Sequence, residues 1–396
     1  MKVYLDNAAT TSIDKEVIEA MLPYMHEHYG NPSSIHSFGR KTRSAIEGAR
    51  KIISKNLNAS PAEIFFTSGG TEAINTAIRC AVNDLGVKHI VTSKIEHHAV
   101  LHCAEALEQE GKIKISFVHL DKKGHVDLNH FEELLTAVSN FKFQVSSSNA
   151  QKPATRNLKP ETLVSLMHAN NEIGNLLPMK RVGDLCEKYN AIFHCDSTQT
   201  MAHYKIDLQS VNVHMANGAA HKFHGPKGVG FLYLSNKVKI NPFIYGGSQE
   251  RNQRGGTENL YGIVGLGKAF EIAHRDMEMH HNHIQSLKTY MTELLEKTLP
   301  GIEFNGDAKG SSLYTVLNVQ FPRTENAEMM LFNLDIAGIA ASGGSACTSG
   351  SNQGSHVLRG IGSDMNRPSI RFSFSKYNTK EEIDYCVSNL KKLISS

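Results

Sequence analysis

Cysteine is sparse and scattered in this 396-residue chain. Cys80, Cys103, Cys186, Cys195, Cys347 and Cys386 form no C-x-x-C pair, which argues against a disulfide framework and against a Cys-based zinc knuckle. An excess of one charge is also lacking. The 42 Lys+Arg and 39 Asp+Glu leave a formal net charge of +3, far from the concentrated positive charge of a dedicated nucleic-acid or polybasic membrane binder. No apolar run of membrane-spanning length, about 18 residues, occurs. The start Met-Lys-Val-Tyr-Leu-Asp has the composition of neither a secretory leader nor a transit peptide. The expectation is a cytoplasmic protein. Hydrophobic residues at 40% and charged residues at 20% allow a substantial core, and the length predicts two or three domains.

Short β-branched or aromatic runs alternate with helical periods over the first two thirds of the chain. Strands are expected at 63–68, 88–93, 114–119, 162–167 and 191–196, with helices at 71–82, 99–110, around 131–135 and at 182–189. That alternation implies crossover units and a largely parallel sheet covered on both faces, an α/β fold. Sites in such sheets gather at the carboxyl ends of the strands. Residues 68–71, 93–98, 168–172 and 196–199 therefore mark one rim. From about Asn259 a long helical stretch runs to the Leu299-Pro300-Gly301 breaker. Strands at 314–321 and 369–374 and helices at 327–334 and 380–393 then suggest a smaller α+β domain. Residues 138–158, with a Ser-Ser-Ser run and Pro153, fit neither pattern and read as a surface insertion or a partner-binding element.

Several short patterns carry chemistry. Ser68-Gly69-Gly70-Thr71 between strand and helix can cradle a phosphate on backbone N–H groups, although Gly-Gly there also reads as a tight turn. Asp196, ending an apolar strand, needs a cationic partner unless it is a helix cap. Lys222, flanked by His221 and Phe223, reads as a nucleophilic amine if desolvated and as an ordinary lysine if solvated. Cys347 lies in Gly343-Gly-Ser-Ala-Cys-Thr-Ser-Gly350, where nothing could bury a thiol, so an exposed reactive sulfur on a mobile loop is expected. The other five cysteines read as packing. His274, His280, His281 and His283 do not concentrate three ligands on one helix face, and a solvated face is expected there rather than a metal site.

Taken together, these motifs resemble the cysteine desulfurases, pyridoxal-phosphate (PLP) enzymes of the aminotransferase-like fold type I. The resemblance spans nearly the whole chain, through Tyr4-Leu-Asp-Asn-Ala-Ala-Thr-Thr11, Gly30-Asn-Pro-Ser-Ser-Ile-His36, Thr67-Ser-Gly-Gly-Thr-Glu72, Glu96-His97, His168-Ala-Asn-Asn-Glu-Ile-Gly174, Asp196-Ser-Thr-Gln199, His221-Lys-Phe-His-Gly-Pro-Lys-Gly228, Arg254-Gly-Gly-Thr-Glu258 and Gly344-Ser-Ala-Cys347. The long small-residue loop around Cys347 is similar to that of the housekeeping group serving iron–sulfur assembly and tRNA thiolation. The resemblance implies a mainly parallel seven-stranded sheet in a large PLP-binding domain (15–260). It also implies a small domain (1–14 and 261–396) carrying the Cys347 loop.

By the same resemblance, Lys222 holds PLP covalently and then shuttles the substrate Cα proton. Asp196 pairs with the ring nitrogen, Gln199 meets the phenolic oxygen, Asn171 contacts cofactor or substrate, and His97 stacks on the ring. Gly70, Thr71 and His221 hold the phosphate, joined by Thr257 from a neighbouring subunit of a homodimer, and Arg371 binds the substrate carboxylate. Cys347 attacks the sulfur of L-cysteine to give a persulfide and L-alanine, and then passes the sulfur to an acceptor protein for iron–sulfur assembly or tRNA thiolation. No metal ligands are implied, except that Cys347 can meet a nascent iron–sulfur cluster. In one departure, Ala219 stands where the family has a Ser or Thr that donates to the phosphate. The loss is worth about 1.5–3 kcal/mol unless water or another hydroxyl substitutes. The 138–158 stretch is also longer than the family pattern. A selenocysteine lyase or other fold type I PLP enzyme would share Lys222 and Asp196. A non-catalytic scaffold that has lost PLP has Ala219 as its only support.

Overall fold

The computed structural model describes residues 1–147, 160–323, 329–343 and 354–395. Cys347 and residues 148–159 lie outside them. In chain order the strands are β1 (Val3–Tyr4), β2 (Ile64–Thr67), β3 (His89–Thr92), β4 (Lys114–Phe117), β5 (Thr162–Ser165), β6 (Ile192–Asp196), β7 (Met215–Ala219), β8 (Gly230–Leu234), β9 (Glu303–Phe304), β10 (Val316–Gln320), β11 (Ile339–Ala340) and β12 (Ser369–Ser373).

β2, β5, β6, β7 and β8 are buried along their whole length, as a sheet covered on both faces requires. They belong to a seven-stranded sheet of order β2-β8-β7-β6-β5-β3-β4. Neighbours from β7 through β4 are parallel, and β8 runs antiparallel to both β7 and β2. The chain leaves β3 for β4 at one edge and returns to β5 on β3's other side. The strand ends around that reversal open the crevice in which such folds bind ligands.

Ile46, Ile53, Phe66, Phe193, Phe231, Leu266 and Phe270 belong to the core on one side of the sheet. Ile74, Ile78, Leu107, Ile90 and Leu232 belong to the core on the other. The second unit is a three-stranded antiparallel sheet, β12-β10-β9, whose core joins it to the helices Met277–Thr298 and Lys380–Ser395 and to the β1–β11 ribbon.

Two expected elements differ. The helix beginning at Leu128 persists to Ser147, well past the expected 135, since no Gly or Pro interrupts the sequence before Pro153. The long stretch from Asn259 divides into Leu260–Arg275 and Met277–Thr298. At Asp276 the backbone leaves helical geometry (φ −109°, ψ 15°), while Arg275 Nη2 donates to the Asp276 carboxylate at 2.8 Å.

Candidate active site

The carboxyl ends of β2, β3, β5, β6 and β7 open onto a cavity of about 260 Å³. Nine residues expected at the site line it: Gly70, Thr71, His97, Asn171, Asp196, Gln199, His221, Lys222 and Arg371. Thr257 does not line it and lies exposed ahead of the helix Leu260–Arg275. Cys347 lies outside the described residues.

Each side chain is placed by its strand end. β2 runs into the turn at Gly69, whose φ of +154° suits glycine, and the helix Gly70–Leu85 begins there. The N-terminus of that 16-residue helix points its first N–H groups and its positive dipole end at the cavity. After β3, His97 caps the helix His98–Gln109. Its Nδ1 accepts from Ala99 N–H at 3.1 Å, so the proton sits on Nε2. Burial lowers the His97 pKa and keeps the ring neutral.

β6 ends at Asp196, which is 4% exposed. Asp196 Oδ1 accepts from Thr198 N–H at 3.0 Å, Thr198 Oγ1 at 2.6 Å and Asn217 Nδ2 at 2.8 Å. Asp196 thus makes the local cap-like bond and also faces the cavity. β7 leads through one 3₁₀ turn to Lys222.

The N-terminal run Asp6–Thr11 closes the site from the other side, which explains a sequence pattern that carried no chemistry when read alone. Lys222 Nζ donates to the carbonyls of Ala8 (2.5 Å) and Ala9 (3.0 Å). Gln199 Nε2 donates to Ala8 as well, at 3.1 Å. Thr11 N–H donates to the His221 carbonyl, and His221 Nδ1 meets Thr10 Oγ1 at 3.2 Å. Burial lowers the His221 pKa to about 4, so it offers a neutral ring.

Arg371 on β12 enters from the second unit and is 1% exposed. Its Nη2 donates to Asp6 Oδ1 at 2.7 Å and its Nη1 to the Asn171 carbonyl at 3.0 Å. Its Nε has no partner among the described residues. A buried guanidinium with an orphaned N–H at a cavity wall suits a carboxylate ligand.

Other pairings at this wall are not readable from the sequence, because each depends on a contact between distant segments. Glu172 Oε2 accepts from Ser355 Oγ at 2.6 Å, and its Oε1 has no partner among the described residues. Burial raises the Glu172 pKa against the opposing pull of Ser355, His356 and Arg371. His356 Nε2 donates to the Glu96 carbonyl at 2.9 Å. Behind Lys222, His203 Nε2 donates to the Lys222 carbonyl at 3.1 Å and its Nδ1 meets the Tyr314 hydroxyl at 2.9 Å, coupling the lysine's backbone to the second unit.

The five described cysteines are all buried. Among the described residues no group of three or more His, Cys, Asp or Glu could hold a metal. The histidines expected to form a solvated face are partly packed, with His281 against Tyr314 at 4.4 Å between ring centroids.

The aminotransferase class-V family model matches residues 3–151 and 137–386. Cysteine desulfurase IscS of Dictyoglomus turgidum is 41% identical over 397 residues, covering 99% of this chain and 94% of that protein. The chain belongs to the cysteine desulfurases. A solved structure described as a NifS-like protein superposes on this desulfurase over 100% of both chains, with a TM-score of 0.86 and 34% identity. A second, described as SspA in complex with cysteine, covers 96% of the desulfurase and 100% of its own chain, with a TM-score of 0.78 and 30% identity. Enzymes of this family depend on PLP. The residues present fit that group: a helix N-terminus for the phosphate, an acceptor-only carboxylate for a protonated ring nitrogen, and a lysine amine inside the cavity.

Proposed function

We propose that this desulfurase takes sulfur from L-cysteine onto Cys347, releases L-alanine, and hands the sulfur to an acceptor protein serving iron–sulfur cluster assembly or tRNA thiolation. The observation that carries the reading is the meeting of Lys222, Asp196, His97, the Gly70 helix N-terminus and Arg371 around one cavity. When bound, PLP supplies an electron sink for the charge that develops at the substrate Cα.

Gly70, Thr71 and His221 would hold the phosphate, Asp196 the ring nitrogen, Gln199 the phenolic oxygen, and His97 the ring face. Lys222 would be the attachment point, and its amine would accept the substrate Cα proton. Arg371 takes the substrate carboxylate through donors not spent on Asp6 and the Asn171 carbonyl, and Asn171 flanks the same position. Arg371 and Lys222 give the cavity cationic walls, which suit a phosphate and a carboxylate together. Cys347, following Gly343 and Gly344 in sequence, receives the sulfur in the small domain.

The enzyme works as a homodimer in which Thr257 of the partner subunit joins the phosphate. In support, Leu22, Met25, Tyr29, Phe38 and Tyr261 leave apolar surface exposed on or beside three helices of one side of the molecule. Unpaired thiols at all five described cysteines accord with the reducing cytoplasm.

The test is L-alanine release from L-cysteine by the PLP-loaded protein, with sulfide released from the persulfide by an added thiol reductant. Lys222→Ala should lose both the visible absorbance of the lysine-bound cofactor and turnover. Cys347→Ala should keep the absorbance and lose both products. Undiminished turnover in Cys347→Ala would overturn the persulfide role.

A further inference from the structure

Between the carboxylate of Asp196 and the N-terminus of the helix Gly70–Leu85 lies the hydroxyl of Thr198. It lines the cavity, and a Cβ built on Gly70 would lie 3.1 Å from Thr198 Oγ1 and 3.8 Å from Asn217 Nδ2. The hydroxyl is therefore next to the turn that receives a phosphate. Ala219, on the same wall, offers none.

A buried relay fixes how Thr198 is bonded. Ser165, His194 and Asn217 have no exposed surface. Asn217 Nδ2 lies 2.8 Å from Asp196 Oδ1 and 2.8 Å from Thr198 Oγ1. A carboxylate only accepts, so the amide must turn its NH₂ toward Asp196 and its Oδ1 toward His194. His194 is kept neutral by burial and donates from Nε2 to Asn217 Oδ1 at 3.1 Å. Its Nδ1 then accepts from Ser165 Oγ at 2.9 Å. Every proton along the relay is assigned by the one before it.

Thr198 Oγ1 thus receives an N–H from Asn217 and has a single O–H to give. In this structure that O–H points at Asp196 Oδ1. If it turned away, Asp196 Oδ1 would still hold two donors, the Thr198 N–H and Asn217 Nδ2. The rotation leaves no buried acceptor unsatisfied, and on its other side is the phosphate cradle.

We propose that Thr198 is a phosphate ligand, a swivelling hydroxyl that Asn217 and His194 hold in place and that supplies the donor Ala219 lacks. The proposal rests on the reading of this cavity as a PLP site.

The test compares dissociation constants for PLP and for pyridoxal, which has no phosphate, by the visible absorbance of the bound cofactor. Thr198→Val keeps the shape and removes the O–H. A hydrogen bond to a charged group corresponds to roughly a tenfold to hundredfold change in affinity. Thr198→Val should therefore weaken PLP by about that much while changing pyridoxal by less than about twofold. Thr198→Ser should keep the wild-type PLP-to-pyridoxal ratio, and Thr198→Val with Ala219→Ser should recover most of it. Taking the ratio within each protein cancels any loss of folded fraction. An unchanged ratio in Thr198→Val, or a ratio in Thr198→Ser as poor as in Thr198→Val, would overturn the assignment. Wild-type protein that binds neither compound would overturn the cofactor reading itself.

Discussion

Asp6→Ala should destabilise this desulfurase more than Arg371→Met, although Arg371 is the larger and more deeply buried partner of the pair. Arg371 is 1% exposed, whereas the Asp6 side chain is 20% exposed. Removing Asp6 leaves a buried guanidinium held by the Asn171 carbonyl alone among the described contacts. Removing Arg371 leaves a carboxylate that water can reach. Breaking a buried ion pair from one side costs about 3–5 kcal/mol. The exposure of Asp6, and water entering the cavity, screen part of that, so the expected loss for Asp6→Ala is roughly 2 kcal/mol.

Arg371→Met keeps most of the side chain's volume and should cost less. Adding Asp6→Ala to it should cost little more, because the charge left stranded by the single change is gone. Thermal unfolding of the four proteins without L-cysteine gives the cycle. The Asp6→Ala variant should also bind the substrate carboxylate more tightly, seen as a lower KM for L-cysteine. Equal stability of Asp6→Ala and wild type, or simple additivity of the two changes, would refute the claim that Asp6 offsets the guanidinium's burial.

Glu96 is buried, with one oxygen accepting from Met167 N–H and the other without a partner among the described residues, and its pKa is raised well above the ordinary carboxyl value by burial. Below the unfolded pKa both states are protonated and Glu96 contributes no pH dependence. As the pH rises toward the folded pKa, only the unfolded chain releases its proton, so stability falls by up to about 1.4 kcal/mol per pH unit. Glu96→Gln should therefore gain stability relative to wild type between pH 5 and pH 8, and a pH-independent difference in urea midpoint would count against this. Burial also pushes the Cys103 thiol up to about 11 and those of Cys80 and Cys386 to about 12. Iodoacetamide on native protein should accordingly label Cys347 first, as read by peptide mass spectrometry. Labelling of a core cysteine at a comparable rate would contradict the packing role given to the other five.

The α/β class and the rim at the strand ends were legible in the sequence because strands such as Ile64–Thr67 and Ile192–Asp196 are short apolar runs that end at turn residues. Lys222, Asp196 and Gly70 each admitted an ordinary reading alone, as a solvated lysine, a helix cap and a tight turn, and took on roles only through the joint resemblance of the motifs to the cysteine desulfurases. Arg371 with Asp6, 365 residues apart, and Glu172 with Ser355, 183 apart, were not legible as pairs, since no local pattern records which distant segments meet. Thr198 lies on the expected rim, but its bond to Asn217 was not legible for the same reason: Asn217 is an ordinary interior residue of β7 until β6 and β7 are set side by side. The break at Asp276 was missed because the periodicity on its two sides is continuous enough to mask a single non-helical residue.

Sulfur from L-cysteine is proposed to arrive on Cys347 through chemistry at the Lys222 cavity. The most direct test is mass spectrometry of the PLP-loaded protein after a single exposure to L-cysteine, with thiols trapped by alkylation. One added sulfur atom on the Cys347 peptide, matched by one L-alanine and absent in Lys222→Ala, is the predicted result. L-Alanine formed while Cys347 carries no added sulfur would contradict it.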